Sequence, residues 1–78
     1  MAELLASALR DGDPWVRYYS CQALGKLRVH DAEDSIVARI KDPAGQVRVA
    51  AVDALASLKT PRALEALERA SEEEDPDI

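Results

Sequence analysis

The apolar residues in the middle of the chain form two stripes at helical spacing, separated by 31 residues. The first stripe consists of Val16, Ser20, Ala23, Leu24 and Leu27. The second consists of Val47, Ala51, Ala54, Leu55 and Leu58. Intervals of this kind place side chains on one face of a helix with about 3.6 residues per turn. The pattern predicts amphipathic helices at about 14–27 and 44–58.

Shorter apolar patterns surround the two stripes and predict three more helices, at about 2–10, 31–41 and 60–72. Asp13 before Pro14 is a start signal, because Asp caps free N–H groups and Pro tolerates the first helical position. Thr60 before Pro61 is a second such signal. The linkers are short, so successive helices are expected to lie antiparallel.

A shift of 31 residues superimposes the chain on itself without gaps. Two pairs of neighbours match: Val16-Arg17 with Val47-Arg48, and Ala23-Leu24 with Ala54-Leu55. Two series also recur every 31 residues, the apolar Leu5, Ile36 and Leu67 and the acidic Asp11, Asp42 and Glu73. The chain is therefore predicted to be all-α, an α-solenoid of antiparallel helix pairs. Its five helices would make two full repeats plus flanking half-repeats.

The acidic end of the chain fits the same register. A shift of 62 residues places Glu72–Ile78 on residues 10–16, so that an Asp-Pro pair again precedes an apolar residue by two positions. We therefore expect residues 1–78 to be a single repeat domain that is a fragment of a longer solenoid. The alternative is a natural acidic C-terminus.

These repeats resemble HEAT-like repeats. The residues that carry the resemblance are Asp13, Pro14, Trp15, Val16 and Arg17, then Ala23, Leu24, Gly25, Lys26 and Leu27. The short unit is similar to the type found in phycobilisome lyase subunits and in many scaffold proteins. The second unit departs at Ala56, where the first has Gly25, and Ala is the better helix former.

The resemblance implies structural roles for two arginines at equivalent positions, Arg17 and Arg48. Each would pair with an acidic residue of a turn or an adjacent repeat, such as Asp13, Asp42 or Glu73. The alternative is an arginine ladder that binds a phosphate or carboxylate ligand.

Candidate partner-binding residues fall into two groups. Trp15 and Tyr18 lie off the first stripe and would contact a partner or pack on neighbouring helices. The resemblance to HEAT-like solenoids implies that the second helix of each pair lines the inner, concave face. The residues expected there are Ser35, Arg39, Glu65, Glu68 and Arg69.

Charge gives no reason to expect nucleic acid or a membrane as partner. The net charge is −5, but residues 1–71 are neutral and the excess lies in the last seven residues. No apolar run approaches the length of a membrane span. DNA binding of the kind seen in HEAT-like glycosylases would need a basic concave face.

Candidate chemistry is sparse, and no catalytic site, metal or cofactor is expected. Cys21 is the only cysteine and His30 the only histidine, which cannot form a closed zinc site or an internal disulfide. We expect Cys21 to be partly exposed and inert, and His30 to be a solvated loop residue. The single cysteine favours a reducing, cytoplasmic location.

The function that these features favour is that of a protein–protein interaction scaffold that binds a partner through its curved helical surface, without enzymatic activity. Self-association through exposed solenoid ends is a further expectation. The alternative, implied by the resemblance, is a subunit or fragment of a phycobilisome-type bilin lyase.

Overall fold

The computed structural model of the chain describes residues 2–73, which fold into antiparallel helices without a strand. The bounds of the five α-helices are α1 Ala2–Ala8, α2 Pro14–Lys26, α3 Glu33–Ala38, α4 Gly45–Leu58 and α5 Pro61–Glu73. Within this part of the chain the predicted all-α architecture of five helices is confirmed. Residues 74–78, where the chain was predicted to begin a further repeat, lie outside the described residues.

Two of the helix starts follow the predicted Asp-Pro and Thr-Pro signals. The carboxylate of Asp13 accepts a hydrogen bond from the amide of Trp15 at 2.8 Å, and Pro14 occupies the first position of α2. The hydroxyl of Thr60 accepts one from the amide of Ala63 at 3.0 Å. The same hydroxyl donates to the carboxylate of Glu33, which ties the start of α5 to the start of α3.

The second helix of the first repeat is shorter and tighter than predicted. Instead of one helix over 31–41, a 3₁₀ turn at His30–Ala32 leads into α3, and a second one follows at Arg39–Lys41. The turns are closed by i→i−3 bonds, such as that from the amide of Asp42 to the carbonyl of Arg39 at 3.1 Å. Similar bonds follow α1, which ends at Ala8 instead of residue 10.

The core lies mainly between α2 and α4, with α1, α3 and α5 packed against this pair. Its fully buried large side chains include Leu9, Leu24, Ile36, Val47 and Leu55. All five residues of the second predicted stripe are buried, which confirms that stripe as the core face of α4.

The first predicted stripe is only partly correct. Val16 and Leu27 are exposed, Leu27 by 60%, while Cys21 has no exposed surface although it was expected to have some. The equivalents of Val16 and Leu27 in α4, Val47 and Leu58, are buried. The reason is that α4 faces α2, whereas the corresponding side of α2 is left open in the described part of the chain.

Helices α2 and α4 approach each other closely at Gly25. A Cβ atom built on Gly25 would lie 2.8 Å from the Cα atom of Ala54 and 2.9 Å from its Cβ atom. Because the nearest atom is backbone, it cannot move aside as a flexible side chain could. The small residue at this position therefore sets the distance between the two central helices.

We predict that Gly25→Ala lowers the free energy of unfolding by about 1–3 kcal/mol, the usual cost of overpacking a core. Helix propensity alone predicts the opposite sign, because Ala is favoured over Gly by about 1 kcal/mol in a helix. Urea denaturation followed by circular dichroism measures the difference. The matched control is Gly12→Ala, because a Cβ atom at Gly12 has no neighbour within 4 Å. Equal stability of the two variants would contradict the argument.

Candidate functional site

A buried carboxylate, that of Asp42, joins the two repeats. Its Oδ2 atom accepts a hydrogen bond from Nε of Arg17 at 2.8 Å, and its Oδ1 atom accepts one from Nη2 of Arg17 at 3.0 Å. Arg39 Nη1 donates to Oδ2 at 3.0 Å, and the amide of Ala44 donates to Oδ1 at 2.9 Å. Four donors therefore satisfy both oxygens, which is the condition for burying a charge without a large penalty.

The same turn is built twice, 31 residues apart. Asp11 Oδ1 accepts a hydrogen bond from the amide two residues later at 2.8 Å, as Asp42 Oδ1 does at 2.9 Å. Arg17 Nη1 donates to the carbonyl of Asp11 at 2.6 Å, and Arg48 Nη1 donates to the carbonyl of Asp42 at 2.6 Å. The repeat seen in the sequence is thus a repeat of hydrogen bonds.

The pKa of Asp42 is the net result of opposed effects. Burial raises the pKa, but the hydrogen bonds from Arg17 and Ala44 and the charges of Arg17 and Arg39 outweigh it, so the pKa lies below its usual value. The hydrogen bond to Asp42 in turn raises the pKa of Arg17. The carboxylate and the guanidinium are both charged at neutral pH.

The residues predicted to have structural roles lie at or near the turns between helices, but they do not all form ion pairs. Arg17 pairs with Asp42, and Asp13 instead caps α2. Because Arg17 is 9% exposed and uses Nε, Nη1 and Nη2 within the protein, it is not placed to bind a ligand. Arg48 donates a hydrogen bond to the carbonyl of Asp42, and its side chain is otherwise exposed to solvent. The side chain of residue 73 lies outside the described part of the chain.

The aromatic residues of α2 form one cluster of contacting rings. The rings of Trp15 and Tyr18 meet edge to face with centroids 5.4 Å apart, and those of Tyr18 and Tyr19 do so at 4.9 Å. Tyr18 is half-buried against the core, and its hydroxyl accepts a hydrogen bond from Gln22 at 2.9 Å. Trp15 and Tyr19 are exposed, so they are the members that a partner could contact.

An open groove of about 360 Å³ separates the end of α3 from α5. Its lining combines apolar and charged side chains, namely Val37, Ala38, Ile40, Lys41, Arg62, Glu65, Ala66, Arg69 and Ala70. Clefts of this volume, apolar with a few charged groups, are typical of binding sites. We call it the α3–α5 groove.

The two arginines at the α3–α5 groove, Arg62 and Arg69, make exposed ion pairs. Arg62 Nη2 lies 2.6 Å from Oδ1 of Asp34, and Arg69 Nη2 lies 3.5 Å from Oε2 of Glu65. All four side chains are at least 60% exposed. Pairs of this kind contribute about 0–1 kcal/mol, so a partner can replace them at little cost.

The residues predicted for the inner face do not lie at one common site. Glu65 and Arg69 line the α3–α5 groove. Ser35 and Arg39 line a different cleft, beside Leu9, which follows α1, and Arg39 also pairs with Asp42. Glu68 is exposed but lines neither cleft.

Sequence reasoning missed two cations of the α3–α5 groove, Arg62 and Lys41. A signal existed for Arg62, which lies three and seven residues before Glu65 and Arg69 and so on the same helical face. Lys41 follows α3 in a 3₁₀ turn, where helical spacing gives no guide.

Cys21 and His30 show no catalytic arrangement in the described chain. Burial raises the pKa of the Cys21 thiol to about 11, so it is not a nucleophile at neutral pH. His30 is exposed at the start of a 3₁₀ turn. Among residues 2–73, no three His, Cys, Asp or Glu side chains are grouped as a metal ion would need. None of the helices in this range has the length and apolar character of a membrane span.

Comparison with known proteins gives one family. The sequence model of the family described as HEAT repeats matches residues 1–78, the whole of the chain. No curated protein matches the chain. HEAT repeats generally act as scaffolds for protein interactions.

We predict that Asp42→Asn lowers the free energy of unfolding by about 3–5 kcal/mol, because it leaves a buried arginine charge unpaired. Thermal melting and urea denaturation followed by circular dichroism measure the loss. The control is Asp53→Asn, which removes the same charge from an exposed position of α4 and should change stability by less than about 0.5 kcal/mol. Similar losses in both variants would show that Asp42 has no special role.

The lowered pKa of Asp42 also predicts a dependence of stability on pH. In the unfolded chain the carboxyl titrates near pH 3.9, above its folded pKa, so its stabilising contribution is complete above about pH 5. As the pH falls through the folded pKa, the contribution is lost. The difference in unfolding free energy between wild type and Asp42→Asn should therefore shrink below about pH 4. A difference that stays constant down to pH 2 would rule out this linkage.

Proposed function

The chain belongs to the HEAT-repeat family, and we propose that it is a non-catalytic scaffold module that holds a protein partner in the α3–α5 groove. The observation that carries the proposal is the groove itself. It is open to solvent, its floor is apolar and its rim carries two arginines, Arg62 and Arg69, whose ion pairs are exposed. A peptide or helix laid in it would cover apolar surface and exchange exposed ion pairs for new ones.

The floor of the groove supports this assignment. Val37, Ala66 and Ala70 are half-buried and pack against the core from outside, so each keeps part of its apolar surface in water. Ile40, at the base, is 8% exposed. Covering such surface stabilises a complex by about 25 cal/mol per Å² before the costs of association are counted.

The aromatic cluster on α2 supports a second, smaller contact. Trp15 is 53% exposed, and its ring is held by the neighbouring tyrosine rings, so little side-chain freedom would be lost on binding. Tyr18 would support Trp15 more than touch a partner. Ser35, Arg39 and Glu68 lie away from the groove, and their part in binding stays a prediction.

The bilin lyase alternative has no observation in its favour. The family match is to HEAT repeats in general, and the narrower similarity to phycobilisome lyase subunits is untested. Self-association through exposed solenoid ends and a cytoplasmic location also stay predictions.

Filling the groove should abolish partner binding. Ala38 is exposed and lies at the border between the α3–α5 groove and the cleft beside Leu9, so Ala38→Trp would place a large side chain at the edge of the groove without entering the core. We expect peptides selected on the wild-type protein from a random 12-residue library to bind this variant at least about tenfold more weakly, as loss of a central contact does. Fluorescence polarisation measures the affinities.

The matched control is Ala56→Trp, which adds the same side chain to an exposed position of α4 outside the groove. Binding that survives Ala38→Trp, or that is lost equally in the two variants, would refute the groove as the site.

A further inference from the structure

We infer that the open face of α4 binds a short segment of a partner protein, held by Arg48 and by an apolar groove between α4 and α5. The segment presents an Asp or Glu side chain, followed five residues later by an aliphatic one. This surface lies outside the α3–α5 groove, so the inference and the proposed function stand or fall separately.

The two repeats already form one contact of this kind within the chain. Arg17 donates through Nη1 to the carbonyl of Asp11 in its own turn. Through Nε and Nη2 it holds the carboxylate of Asp42 in the next repeat, at 2.8 and 3.0 Å. Val47, five residues after Asp42, is fully buried. The segment from Asp42 to Val47 is therefore the template for an occupant of the equivalent face of α4.

Arg48 repeats the first half of this contact and leaves the second half open. Its Nη1 atom donates to the carbonyl of Asp42 at 2.6 Å, and its side chain makes no other hydrogen bond within the described residues. The two donors with which Arg17 holds a carboxylate, Nε and Nη2, thus have no acceptor on Arg48 there. Because Nη1 anchors the guanidinium, an incoming carboxylate meets a partly oriented pair of donors.

The face of α4 that corresponds to the covered face of α2 is apolar and exposed. Val49 is 62% exposed and Val52 38%. Their equivalents 31 residues earlier are Tyr18, which is half-buried, and Cys21, which is fully buried. Cys21 lies four residues before Gly25 and therefore on the side of α2 that contacts α4. What the two valines lack, by comparison, is an apolar side chain packed against them.

An open groove of about 640 Å³ runs between this face and α5, and we call it the α4–α5 groove. Besides Arg48, its lining includes the apolar side chains of Ile40, Val49, Val52, Leu67 and Ala70. An aliphatic side chain seated there would remove this apolar surface from water, which favours association.

The direction of the donors, and not net charge, selects a carboxylate here. The lining of the α4–α5 groove holds one cation, Arg48, and one anion, the exposed Asp53. They are five positions apart, about 7.5 Å along α4, and no ion pair joins them in the part of the chain that the structure describes. The planar fork of a guanidinium matches the two oxygens of a carboxylate.

A short segment avoids the obstacle on this face of α4. Between α2 and α4 the close contact joins Gly25 to Ala54, which comes seven residues after Val47. On α4 the equivalent of Gly25 is Ala56, whose methyl group would prevent the same approach. A segment that ends at its aliphatic residue stops short of that level and does not meet this methyl group.

A second copy of the chain cannot dock as the template does. Its Asp11 and Val16 have the required spacing, but α1 precedes Asp11. With Asp11 placed on Arg48 of another copy, residues 1–10 would fall on the place of residues 63–72, which α5 occupies. A separate partner segment has no such conflict. The chain's own Glu73 and Ile78 also have this spacing, and the experiment below distinguishes them.

The test selects peptides from the random library on the wild-type protein and discards those that bind Arg48→Ala equally well. The discarded peptides are the ones that report on the α3–α5 groove. We expect the remaining peptides to share an Asp or Glu followed by Val, Ile or Leu five residues later. Fluorescence polarisation measures their affinities.

The decisive measurement is a double-mutant cycle between Arg48→Lys and replacement of the peptide's acidic residue by its amide. Lys keeps the positive charge but lacks the planar fork. We expect either change alone to weaken binding about tenfold or more, and the second change to cost less than about twofold once the first is made. Because the cycle cancels a general effect of the substitution on the protein, it isolates the contact.

Matched variants test the apolar half of the site. Val49→Ser should weaken the same peptides about threefold or more, because it removes exposed apolar surface from the groove. Leu64→Ser changes a similarly exposed residue of α5 that lines neither groove, and should leave the affinity within about twofold of wild type. Arg10→Lys, at an exposed position outside the α4–α5 groove, is the control for Arg48→Lys. Circular dichroism checks that all variants fold.

Several results would overturn the inference. One is the absence of coupling in the cycle, and another is a set of Arg48-dependent peptides without the acidic residue. If every selected peptide is lost in Ala38→Trp and none depends on Arg48, the proposed function stands and this inference fails. A dimer that dissociates in Arg48→Lys would make a second copy the occupant. Arg48-dependent peptides that appear only when the selection is repeated without residues 74–78 would make the chain's own end the occupant.

Discussion

The buried carboxylate of Asp42 is the constraint on which the fold depends. It accepts hydrogen bonds from Arg17 of α2, from Arg39 in the turn after α3, and from the amide of Ala44, directly before α4. One side chain thus fixes three segments that meet between the repeats. Because breaking a buried charge pair costs about 3–5 kcal/mol, a shift of the turn that separates these groups would be strongly destabilising. Ile40 and Lys41 precede this turn directly, so the carboxylate also holds one wall of the α3–α5 groove in place.

This arrangement separates charges that maintain the fold from charges that can serve a partner. Arg17 and Arg39 are close to Asp42 and mostly shielded from water, whereas Arg62 and Arg69 make exposed pairs on α5. The inner-face prediction treated Arg39 and Arg69 alike, since sequence alone shows no difference between them. The difference comes from the 3₁₀ turn at Arg39–Lys41, which brings Arg39 within 3.0 Å of Asp42.

The sequence pattern carried most of what could be predicted. It located the five helices by their apolar spacing, the starts of α2 and α5 by their Asp-Pro and Thr-Pro pairs, and the acidic position at the turn by the 31-residue register. It failed for Val16, Cys21 and Leu27, since burial depends on which side of a helix has a neighbour. The α3–α5 groove is formed by side chains of two helices, and the spacing along either one does not reveal it. Arg62 was the exception, being detectable on the face of Glu65 and Arg69.

The central contact between α2 and α4 is not reproduced on the open sides of these helices. It relies on Gly25 and on the buried Ala50. In the 31-residue register, Gly25 of α2 corresponds to Ala56 of α4, and Ala50 of α4 corresponds to Tyr19 of α2. Ala56 and Tyr19 lie on the outer faces of the two helices. An added methyl group at one position and an exposed aromatic ring at the other prevent the same close approach. A helix that docked on either open side would have to lie farther away or at another angle, and would bury less surface. The α3–α5 groove meets no such obstacle, because its floor is apolar, its rim charged and both are already in place.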